Sequence, residues 1–109
     1  MAAYLLLISS APDTKNIHRA ISVTEDLKKE GNDINIFLIQ EAVRAVVKNR
    51  PIEQLNRLIN SGIKCYVLEE DLGLRGFRKD DILSNAEVAG YNELLNLMTD
   101  DVTSTLGAF

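Results

Sequence analysis

Two kinds of apolar pattern alternate along this chain. Ala3–Ile8, Ile34–Ile39 and Ile63–Leu68 are short, nearly unbroken apolar runs, long enough for buried parallel strands and too short for helices. Between them apolar residues recur at spacings of three and four. Ile17, Ala20, Ile21, Thr24 and Leu27 predict an amphipathic helix over 13–30, capped by Ser10 or Asp13 and ended by Gly31-Asn32. Gln40–Lys48 predicts a short helix with Ala42, Val43, Val46 and Val47 inward. Pro51 suits the first turn of the next helix, whose stripe is Ile52, Leu55, Leu58 and Ile59.

The third apolar run leads straight into a helix at Glu69. Glu69, Glu70 and Asp71 lie where a helix N-terminus favours negative charge, Arg75 falls four residues after Asp71 on the same face, and Gly76 suits the residue past the helix end. Beyond it, Asp80 or Asp81 can cap one turn through Ile82 and Leu83, and Ala86–Val88 reads as a short strand or extended loop. Tyr91–Met98 predicts a last helix with Tyr91, Leu94, Leu95 and Met98 on one face, and Val102–Phe109 is weakly β-prone. This order implies an α/β fold, a mostly parallel sheet with right-handed crossovers and helices on both faces, in one domain over 1–109.

Composition narrows the function classes. The 109 residues are 46% apolar and 26% charged, with a formal charge of −4. That balance, with no basic cluster, speaks against nucleic-acid backbone binding. No apolar run approaches the length of a bilayer span, and Tyr4–Ile8 has neither the length nor the flanks of a secretory signal, so the expectation is a cytoplasmic protein without a membrane segment. One cysteine and one histidine cannot form a disulfide or a Cys/His zinc site. Glu69, Glu70 and Asp71 point in different directions on a helix, so no metal is expected there, and His18 reads as a surface or cap residue. The first turn holds no glycine, which removes the phosphate-loop motifs.

A strand-to-helix junction at the carboxyl edge of a sheet is where open α/β folds place their sites. The only thiol, Cys65, lies three residues before it, in mid-strand, and reads as a core cysteine. The position best placed for a nucleophile is Leu68, and the acids that follow oppose a thiolate.

Ile63, Lys64, Tyr66, Leu68, Glu70, Asp71, Leu72, Arg75 and Gly76 spell I-K-x-Y-x-L-x-E-D-L-x-x-R-G, which resembles the DsrH/TusB branch of the DsrE/DsrF/DsrH-like sulfur-relay family. Gln40-Glu41-Ala42-Val43 is similar to the family's Gln-Asp-Gly-Val after the second strand, and the terminal Phe109 is also family-like. Ala42 in place of the family glycine implies a different loop conformation, since glycine alone tolerates positive φ freely. The resemblance implies a three-layer α/β fold of flavodoxin-like, DsrE/F/H-like type and a subunit of a DsrEFH/TusBCD-like sulfurtransferase complex, serving tRNA wobble-uridine 2-thiolation or sulfur oxidation, with DsrE/TusD-like and DsrF/TusC-like paralogues as partners. In the DsrE/TusD chain a junction cysteine carries persulfide sulfur. Laid on this sequence, that position is Leu68, so no catalytic residue and no cofactor are implied here. Glu70, Asp71, Arg75 and Gly76 become motif or interface candidates. Two alternatives stand beside this reading: a homo-oligomeric binding module of the same fold, and a persulfide carrier through Cys65.

Overall fold

A computed structural model describes residues 2–100, 103–107 and 109. Its strands are β1 (Ala3–Ile8), β2 (Asp33–Leu38), β3 (Lys64–Leu68), β4 (Glu87–Ala89) and β5 (Thr103–Leu106); its α-helices are α1 (Lys15–Lys29), α2 (Glu53–Asn60), α3 (Glu69–Leu74) and α4 (Tyr91–Met98). Val102 and Ala108 of the expected final segment lie outside the described residues. The strands form one sheet in the order β4-β3-β2-β1-β5, every neighbouring pair parallel. Flavodoxin itself has the order 2-1-3-4-5.

This order dictates the layers. From β1 to β4 the chain steps across the sheet in one direction, so right-handed crossovers put α1, α2 and α3 on one face. The return from β4 to β5 runs the other way and puts α4 on the opposite face. The side chains follow suit. Leu6, Ile8, Ile36, Leu38, Cys65 and Val67 point into the core beneath α1, α2 and α3, joined by Ile17, Ile21, Leu55 and Leu72. Leu5, Phe37, Leu68 and Ala89 point the other way, against Leu94 of α4. Strands apolar on both faces produce the continuous runs seen in the sequence. On the α4 side the Phe37 and Tyr66 rings, opposite each other in register, stack with centroids 5.7 Å apart.

Several expected details are corrected. The first helix is preceded by Thr14 rather than capped by Ser10 or Asp13, and Thr14 Oγ1 donates to the Ala11 carbonyl at 2.7 Å. Gln40–Val46 is a 3-10 helix, because spacings of three and four alone do not separate it from an α-helix. Ile52, not Pro51, immediately precedes α2. The turn near Asp80 is a 3-10 turn over Lys79–Asp81, ahead of Ile82 and Leu83, with the Asp81 carboxylate accepting the Arg78 N–H at 2.8 Å.

The apolar residues of α4 divide between two environments. Leu94 is buried and Leu97 packs beside it, whereas Tyr91, Leu95 and Met98 are 54%, 56% and 43% exposed. Their spacing sets them along one outward stripe.

Candidate functional site

The carboxyl edge of β2 and β3 is held by a clip between two sequence segments. After β2 the chain turns at Gln40, whose φ of +50° is the only left-handed non-glycine conformation among the described residues. Its N–H donates to Asp71 Oδ2 at 2.7 Å. Asp71 sits in the first turn of α3 with its side chain 12% exposed. Arg75, one turn on, has Nη1 3.1 Å from the Asp71 carbonyl and 3.6 Å from Asp71 Oδ1. Its Nε reaches across to Glu41 Oε2 at 2.6 Å, and Glu41 Oε1 accepts from Arg44 Nε at 2.9 Å. Arg44 in turn lies over the Phe77 ring, 5.3 Å from its centroid. Gly76, at φ +77°, ends α3 and releases the chain toward Phe77.

The two short motifs are therefore halves of one structure. Asp71 and Arg75 come together as their helical spacing predicts, and they also bind Gln40 and Glu41. The left-handed residue is Gln40, not position 42; Ala42 is fully buried within the 3-10 helix. Hydrogen bonds from Arg75 and then Arg44 hold the Glu41 carboxyl below its usual range, against a smaller opposing effect of desolvation. Glu70 is exposed on the other side of α3, toward the start of α4. Its Oε1 would lie 3.7 Å from a Cβ added at Gly90, so it takes no part in the clip. The participation of Gln40, Glu41, Arg44 and Phe77 was not read from the sequence. The one local signal was the opposite-charge pair Glu41 and Arg44 at a spacing of three.

The junction beside the clip is closed. Leu68 is 1% exposed and packs toward α4 with Leu5, Phe37 and Ala89. Cys65 faces the opposite core at 3% exposure, and burial pushes its thiol up to about 12. His18 is exposed on α1. Among the described residues no group of three or more His, Cys, Asp or Glu side chains is placed to hold a metal ion. No helix of the described residues is long and apolar enough to cross a membrane.

These features define a class: a three-layer, all-parallel α/β protein with a strand-to-helix junction at the sheet edge, fastened by an acid–arginine clip. Within that class, the family model for DsrH-like proteins matches residues 14–103, and the chain belongs to the DsrH-like family. No curated protein matches it in sequence. Solved structures share its fold at low identity. MTH1491 of Methanobacterium thermoautotrophicum, a protein of unknown function, superposes with a TM-score of 0.87 at 15% identity, over 99% of this chain and 100% of its own. The ychN protein of E. coli gives 0.82 at 15%, over 97% and 100%. BT1422 of Bacteroides thetaiotaomicron, also of unknown function, gives 0.74 at 17%, over 97% and 94%.

Proposed function

We propose that this chain is a non-catalytic subunit of a DsrEFH/TusBCD-like sulfurtransferase assembly in the cytoplasm, a single DsrH/TusB-like domain that completes the oligomer and shapes a partner's cleft. The observation that carries the reading is the junction of a DsrH-family chain with a buried leucine at position 68 and its only thiol sealed in the opposite core. A sulfur carrier needs a thiolate that meets its donor. Cys65 has neither access nor a stabilised anion, which disfavours the carrier reading. The outward stripe on α4 supports assembly, since half-exposed Tyr91, Leu95 and Met98 form an apolar surface at a helix that already buries its other side. The sulfur passed by the complex would serve tRNA thiolation or sulfur oxidation, according to the companion chains.

Co-expression with DsrE-like and DsrF-like chains tests this. A complex containing all three, in which sulfur from a persulfide donor appears on the DsrE-like chain and not on this one, is the expected result. If the other two co-purify and leave this chain behind, the proposal fails. A stable homo-oligomer indifferent to both would favour the binding-module alternative. A mass gain of one sulfur that disappears in Cys65→Ser would favour the carrier.

A further inference from the structure

A cleft among the described residues lies beside the clip, away from Leu68. It encloses about 630 Å³ between the loop after β1, the segment 47–52 and Phe77. That volume lies in the range of small-molecule sites, and much of its wall is apolar, including Pro12 and Ile52. Two guanidinium groups line it, Arg44 and Arg50. Arg44 is already engaged: Glu41 takes its Nε and its Cζ lies over the Phe77 ring, while its two outer nitrogens have no protein partner among the described residues. Arg50 is exposed and has no ion pair or side-chain hydrogen bond among them. A guanidinium held in place with its outer N–H groups free is preorganised for an oxyanion, because less side-chain freedom is lost on binding. The wall from the loop after β1 carries Asp13. That carboxylate repels an anion on its own side, so the anionic end belongs with the arginines.

We propose that this cleft binds a small organic anion, a carboxylate or phosphate monoester on an apolar body, with its charged end on Arg44 and Arg50 and its body against Pro12 and Ile52. This site is separate from the assembly role proposed above, and neither depends on the other.

The test is an amide-resolved NMR titration of the full chain with phenyl phosphate, benzoate and, as neutral control, benzyl alcohol. Saturable shifts are expected at the amides of Arg44, Val47, Asn49 and Phe77, with dissociation constants on the order of millimolar for molecules of this size. The stronger of the two anions identifies the charged group. Benzyl alcohol should bind at least about tenfold more weakly, and Arg50→Gln should weaken the anion by about tenfold. Arg50→Lys should restore part of that loss, and all variants should keep the dispersed spectrum of the parent. Absence of saturable shifts overturns the proposal. So do shifts centred on other residues, an equal response to benzyl alcohol, and unchanged binding in Arg50→Gln.

Discussion

Replacing Asp71 by alanine tests whether the clip fastens the edge of the sheet. The carboxylate accepts the Gln40 N–H at 2.7 Å, and Arg75 Nη1 lies 3.6 Å away. A hydrogen bond to a charged acceptor contributes about 1.5–3 kcal/mol net. Gln40 is exposed, so water can take over part of this bond, and the longer approach of Arg75 adds little against solvent screening. The expected loss for Asp71→Ala is therefore about 2 kcal/mol, near the lower end. For a chain of this size that is a fall of about 10 °C in Tm. Urea unfolding followed by far-UV circular dichroism should show a lower midpoint with an unchanged slope. Asp71→Asn keeps an acceptor oxygen and should lose about half as much. The bond also holds Gln40 in a conformation that costs about 1–3 kcal/mol for a residue with a Cβ. Gln40→Gly should consequently be neutral or slightly stabilising in the parent. A shift of less than about 0.5 kcal/mol in Asp71→Ala, the range of ordinary surface substitutions, would mean that the clip does not fasten this edge.

Further consequences follow from the same structure. Because Arg75 and Arg44 lower the Glu41 pKa, its contribution is present above the ordinary value of 4.5 and is lost as pH falls through the lowered one. An acid titration should show Glu41→Gln lacking that part of the acid limb, and a carboxyl carbon of Glu41 titrating at or above 4.5 would contradict it. Cys65 has the opposite sign: the folded thiol keeps its proton up to about 12, so its contribution is complete below 9.0 and declines as pH rises above it. Stability should fall more steeply with alkali in the parent than in Cys65→Ala, and a thiol reagent should label Cys65 only after unfolding; rapid labelling of the folded chain would sink the assignment. On α4, Leu94→Ala should cost about 2 kcal/mol, whereas Leu95→Glu should leave the melting curve of the isolated chain nearly unchanged and weaken its co-purification with partners. Equal destabilisation by both would mean that the outward stripe had been assigned to the wrong side.

Where strands and helices begin was legible in the chain itself to within a residue or two, because strand burial and helix amphipathicity leave different local periods. Ala3–Ile8 and Tyr91–Met98 match the structure, and the junction at Leu68–Glu69 falls where the apolar run gives way to three acids. The side of α4 that meets the sheet was another matter. Tyr91, Leu94, Leu95, Leu97 and Met98 cover so much of its circumference that periodicity admits more than one inward arc. The sheet selects the arc containing Leu94 and Leu97.

Sequence alone thus determined the local elements, the α/β class and the absence of a second thiol to serve as carrier. Tertiary structure decided what the motifs are for. Gln40 and Asp71 are 31 residues apart, and Glu41 and Arg75 are 34 apart. Neither pair shares a helix turn or a strand register, so no local period records it. They meet because β2 and β3 are neighbours in the sheet and both strands end at the same edge. The same edge brings Arg44, Arg50 and Phe77 to one cleft, and the same packing closes Leu68 and Cys65 on opposite faces.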